Sequence, residues 1–90
     1  MDLSQLRSQI DAVDVELVKL FCTRMELSAQ VADYKKQHGL PIHHPARELE
    51  ILEKVGILSG SELECYTKSL YSEIFRLSRD YQSACNGEVV

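Results

Sequence analysis

No glycine or proline occurs before Gly39, and the 90 residues hold only four glycines and two prolines. Glycine costs a helix backbone entropy, and proline removes a donor and clashes with the preceding turn. Without either, the first part of the chain is free to form one continuous helix. From Asp2 to His38 most residues favour that state, which predicts a helix of about 36 residues and roughly 54 Å. A compact chain of this size is only roughly 30 Å across, so the helix must project and its projecting half needs cover. No apolar run approaches the ~20 residues of a membrane span, and no basic segment leading into an apolar one suggests a signal peptide. Neither a membrane nor nucleic acid is therefore expected as a partner. Nucleic acid in particular asks for a basic face, whereas the net charge here is −4. Cys22, Cys65 and Cys85 are odd in number and lack metal-ligand spacing, so reduced packing thiols in a cytoplasmic protein are expected. Repeats, low-complexity tracts and strand patterns are also missing.

What the first helix does contain is a heptad seam. Leu3, Leu6, Ile10, Val13, Leu17, Leu20, Arg24, Leu27, Val31 and Tyr34 follow one another at alternating spacings of 3 and 4. A second stripe, Val15, Val18, Cys22, Met25, Ala29 and Ala32, lies about 140° around the helix. A helix apolar on two sides is packed between layers. One stripe is expected to take the rest of its own chain and the other a second copy, giving an interlocked homodimer. The seam's one irregularity is Arg24, a charge that arginine cannot shed and that costs several kcal/mol to bury unpaired.

Gly39 to His44 reads as a loop, with Gly39 closing the first helix and Pro45 opening a short second one. Leu49, Leu52 and Val55 form the second helix's expected apolar face, and Gly56 its expected stop. Ser61 and Glu64 read as a capping box for a third helix from about Glu62 to Ala84, with Leu63, Leu70, Ile74, Leu77 and Tyr81 inward and Asn86-Gly87 ending it. The expectation is all-α: three helices, one long, one short and one medium, in a domain over 1–85 followed by a tail at 86–90.

The polar groups converge. Lys35 follows Arg24 by eleven residues, about three turns, so the two cations share a face roughly 16 Å apart with small Ser28 and Val31 between them. This describes a slot for a small molecule with separated negative groups. Arg7 lies about 26 Å from Arg24 along the helix, too far for the same ligand. If two long helices pair antiparallel about residue 18 or 19, Arg7 of the partner subunit falls opposite residue 30, between Arg24 and Lys35. Ser78 and Gln82 share a face of the third helix, and Arg47 and Glu48 sit in the first turn of the second. His38, His43 and His44 make at most a weak cluster, read as solvated loop rather than metal site.

Taken together, Arg7, Ile10-Asp11, Asp14, Leu17, Arg24, Leu27, Val31, Lys35, Gly39, Pro41, Arg47-Glu48 and Ser78-Arg79-Asp80-Tyr81-Gln82 resemble the all-helical chorismate mutases of the AroQ class, from Leu3 to Gln82. The resemblance implies a three-helix subunit in an interlocked dimer whose active site takes one arginine from the partner. It implies that Arg24 and the partner's Arg7 hold the two carboxylates of chorismate, assisted by Ser78. Lys35 and Gln82 would donate to the ether oxygen. Glu48 would bind the ring hydroxyl, through its side chain or through Arg47 and its backbone. Such domains also occur fused to prephenate dehydratase or dehydrogenase.

The implied chemistry agrees with what the chain lacks. Rearranging chorismate to prephenate is an intramolecular [3,3] shift that needs no nucleophile, proton transfer, metal or cofactor, and no catalytic triad or ligand set stands out here. It needs a clamp for the near-attack conformer and donors aimed at the oxygen that gains charge. The chain departs from the family pattern at His44, where an aspartate that positions the ring hydroxyl is common. Two other readings compete: isochorismate-pyruvate lyase on the same scaffold, and a non-catalytic helical dimerisation module.

Overall fold

A computed structural model describes residues 1–85 as three helices, α1 (Leu3–Gln37), α2 (Pro45–Ser59) and α3 (Glu64–Cys85), with no strand among the described residues. Each end of α1 is chemically specified. The Asp2 carboxylate accepts from the Gln5 amide at 2.8 Å while the Gln5 side chain accepts from the Asp2 amide at 2.9 Å, a reciprocal cap. At the other end Gly39 adopts φ 65°, and the amides of Gly39 and Leu40 return to the carbonyls of Lys36 and Lys35. That pairing needs a left-handed residue after the helix. The uninterrupted α1 spans the molecule's longest dimension, 54 Å against 25 and 19 Å for the other two.

α3 is the middle member: it packs on both α1 and α2, which do not pack directly on each other. The buried apolar side chains among the described residues are Ala32, Val55 and Phe75, one from each helix, together with polar Ser78 and Gln82. α1 meets α3 through a face that draws on both stripes: Arg24, Met25 and Ser28 bond to Ser78 and Gln82, and Ala32 is fully buried. Apart from Arg24, the first seam is left largely bare: Leu3, Ile10, Val13, Leu17, Leu20 and Leu27 are all more than half exposed, Leu20 at 66%.

Several expectations need correction. Gly56 does not stop α2, which continues to Ser59 and ends at Gly60 with φ 83°. Gly56 is buried where α3 approaches closely, since a Cβ there would lie 2.7 Å from Lys68 Cε and 3.0 Å from Glu64 Cγ. It lies inside the α2–α3 contact rather than at a helix end. α3 begins at Glu64, after a turn, rather than at Glu62, and Glu64 pairs with Lys68 at 3.5 Å instead of completing a cap with Ser61. Leu49, Leu63, Leu70 and Tyr81 were read as inward and are exposed; Phe75, Ser78 and Gln82 occupy the buried face of α3. Leu70, with Ile74 and Leu77, lines an apolar groove against Leu17, Val18 and Phe21 of α1. The cysteines, expected to be packing residues, are free and exposed. Cys22 follows Phe21 and is turned about 100° away from the face that meets α3. The expected stop at Asn86-Gly87 and the tail lie outside the described residues.

Candidate active site

A cleft of about 350 Å³ opens between the C-terminal half of α1, the start of α2 and the last turns of α3. Its volume is at the lower end of the small-molecule range. α1 contributes Arg24, Leu27, Ser28, Val31 and Lys35; the loop and α2 contribute Ile42, His44, Arg47, Glu48 and Ile51; α3 contributes Phe75, Ser78, Arg79 and Gln82. The helical period explains the α1 set, whose members recur at spacings of three and four and therefore share one face.

Arg24 is half-buried. Its guanidinium donates to the Ser78 hydroxyl at 3.3 Å and lies 5.7 and 5.6 Å from the ring centres of Tyr71 and Phe75. Aromatic faces and a hydroxyl favour a cation without neutralising it. Ser78 passes its own proton towards Met25 Sδ at 3.7 Å. Lys35 donates to the Ile42 carbonyl at 2.7 Å, tying the loop to α1. An ammonium carries three donors, so two remain for a ligand. Gln82 donates through Nε2 to the Ser28 carbonyl at 3.1 Å, and its amide nitrogen has a second proton to give. Among the described residues no carboxylate forms an ion pair with Arg24 or Lys35.

Among the described residues the cleft's one carboxylate is Glu48, in the first turn of α2, where the helix dipole favours it. Arg79 donates to its Oε2, and His43 Nε2 stands 3.6 Å from its Oε1. Arg47 reaches the cleft but directs Nη1 to Glu50, three residues on. His44 occupies the N-cap position of α2 and makes no side-chain cap bond, so its ring remains available to the cleft it lines.

Of the residues singled out from sequence, Arg24, Lys35, His44, Arg47, Glu48, Ser78 and Gln82 meet around this one space. Arg7 does not: it is exposed on the outer half of α1. No three metal-ligating side chains cluster among the described residues. Two residues had been given no role, Arg79 and His43, both gathered on Glu48. The signal for Arg79 was its place directly after Ser78, about 100° further round α3, which turns it from α1 towards α2. The apolar wall of Ile51 and Phe75 was also missed, because neither lies on the apolar stripes read for those helices.

Comparison with known proteins points to one family. The T-protein of Haemophilus influenzae is 53% identical over 51 residues, covering 57% of this chain and 14% of that protein. The bifunctional chorismate mutase/prephenate dehydratase of Aquifex aeolicus is 33% identical over 90 residues, covering 93% of this chain and 23% of that protein. The chorismate mutase of Methanocaldococcus jannaschii is 38% identical over 53 residues, covering 59% of this chain and 54% of that protein. The chain thus spans a fraction of the length of these relatives, and no solved structure matches it. The family model for chorismate mutase type II matches residues 6–83, taking in each α1, α2 and α3 residue that lines the cleft, and the chain belongs to that family.

Proposed function

We propose that this chain is a chorismate mutase, converting chorismate to prephenate for aromatic amino acid synthesis, and that it works as an interlocked homodimer. The observation that carries the reading is the pair Arg24 and Lys35: two cations at opposite ends of one cleft, each with donors to spare and neither with a carboxylate partner. A substrate with two separated carboxylates and an ether oxygen supplies what they lack.

In this reading Arg24, steadied by Ser78, binds one carboxylate bidentately, and Arg7 of the partner subunit binds the other. Together they select the conformer in which the bond-forming carbons approach, which lowers the entropic part of the barrier. As the C–O bond breaks, negative charge grows on the ether oxygen. The free protons of Lys35 and Gln82 stabilise that charge more than the ground state, so they act on the barrier itself. Glu48 accepts from the ring hydroxyl, with Arg47 and His44 at the same end. No group need change protonation, and the domain over 1–85 holds the whole set except the partner's Arg7.

The bare seam of α1 supports the dimer. Only Ala32, Val55 and Phe75 are buried apolar residues among those described, a thin core for a chain of this size. A second α1 laid antiparallel would cover the seam and deliver Arg7. Exposed thiols and an acidic net charge support a cytoplasmic setting without nucleic acid or membrane partners.

The test is to incubate purified protein with chorismate and, separately, isochorismate, and to identify the products by chromatography. Prephenate from chorismate is expected. Unchanged chorismate, or faster loss of isochorismate with pyruvate released, overturns the reading.

A further inference from the structure

We propose that Arg79 is a positioning residue that fixes the Glu48 carboxylate, leaving one of its oxygens aimed at the substrate; this rests on the chorismate mutase reading above. Glu48 is the one acidic side chain lining a cleft whose other charged residues are Arg24, Lys35, Arg47 and Arg79. A free carboxylate there would repel a doubly anionic ligand, and in a half-buried site that repulsion is only weakly screened. It would also be free to swing towards Lys35 or Arg24 and take up the charge those residues hold for the substrate.

The contacts prevent both outcomes. Arg79 Nη1 donates to Glu48 Oε2 across the α2–α3 junction, with both side chains largely withdrawn from water, at 33% and 24% exposure. Charge-assisted bonds of this kind are about twice as strong as neutral ones. Among the described residues Oε1 has only His43 as a polar neighbour, at 3.6 Å, longer than a hydrogen bond, so it keeps its lone pairs for a ligand donor. Arg47 cannot take over the task while it is engaged with Glu50. Ser78 and Arg79 are adjacent on α3, so one turn of helix orients Arg24 through Ser78 and Glu48 through Arg79.

A hydroxyl held by Glu48 is held alike in the ground and transition states, so weakening its acceptor raises KM and spares kcat. Arg79→Ala is expected to raise KM for chorismate about tenfold with kcat within about threefold of wild type. Arg79→Lys, which keeps the charge but loses the planar fork, should recover part of that loss. In a Glu48→Gln background Arg79→Ala should change KM by less than about twofold, because the two residues act as one unit. An equal rise in KM in both backgrounds, or a fall in kcat with KM unchanged, overturns the proposal. A second readout does not depend on turnover. In nitrogen-15 spectra of the full chain, the Arg79 Nη signals should be separated by hindered rotation in wild type and averaged in Glu48→Gln. Averaged signals in both proteins overturn the clamp even if chorismate is converted. Separated signals in a protein that leaves chorismate untouched uphold the clamp and overturn the mutase reading instead.

Discussion

The Arg24 guanidinium and the Ser78 hydroxyl meet at 3.3 Å, joining α1 to α3 through a cation that no carboxylate among the described residues neutralises. Arg24 occupies a seam position where leucine would pack better. Arg24→Leu is therefore expected to separate binding from folding. Circular dichroism should show an unfolding midpoint equal to or above that of wild type, while kcat/KM for chorismate falls at least about a hundredfold, the scale of a lost bidentate charge pair. Parallel loss of midpoint and activity would make Arg24 a structural residue.

Lys35 is expected to act on the barrier. Lys35→Ala should lower kcat by about two to three decades, as when an oxyanion donor is removed, with KM moving much less. Steady-state kinetics over a full substrate range decides it, and near wild-type kcat would remove Lys35 from its assigned role. The same variant frees the Ile42 carbonyl, so its unfolding midpoint should be recorded alongside.

The proposed sharing of Arg7 has a mixing test. Arg7→Ala and Arg24→Ala proteins should each be nearly inactive alone. Mixed in equal amounts and allowed to exchange subunits, they should regain about a quarter of wild-type activity, since about half the dimers are mixed and each mixed dimer keeps one intact site of two. No recovery after verified exchange would place Arg7 outside the site.

His44, the expected departure from the family pattern, stands at the mouth of α2 without a cap bond. His44→Asp places an acceptor carboxylate at that end of the cleft and is expected to lower KM for chorismate; identical KM values for the two proteins would show that the ring plays no part.

Gly56→Ala probes the α2–α3 contact. Alanine gains about 1 kcal/mol of helix propensity over glycine, set against displacement of Lys68 Cε and Glu64 Cγ, both on flexible side chains. Their mutual ion pair is solvent-accessible and worth little. Denaturant titration should find the variant within about 1 kcal/mol of wild type, on the stable side. A larger loss would mean that this glycine sets the spacing of the two helices.

Much of this structure was legible in the sequence because it rests on local chemistry. The absence of helix breakers before Gly39 marked α1 nearly to the residue, and the eleven-residue interval from Arg24 to Lys35 placed both on one cleft wall. What failed was tertiary. Gly56 was read as punctuation because a sequence does not reveal which helical face a neighbour approaches. Leu63, Leu70 and Tyr81 were placed inside because apolar character suggests burial, yet α3 turns Phe75, Ser78 and Gln82 inward, and those three stay open. Arg79 went without a role because its partner Glu48 lies thirty-one residues away, on a helix whose angle to α3 the pattern does not encode.

α3 alone touches both other helices, and its last turns carry Phe75, Ser78, Arg79 and Gln82. Ser78 and Gln82 are separated by one helical turn, about 6 Å, a distance held by the backbone's own hydrogen bonds. The helix is thus a graduated rod. A sideways or lengthwise displacement carries every one of these groups by the same vector, so their mutual spacing is preserved while their register against α1 and α2 is not. Tuning this site one ligand at a time is available on α1 and α2; on α3 it is all or none, and a substitution far down that rod that lets it slip would be read at four positions together.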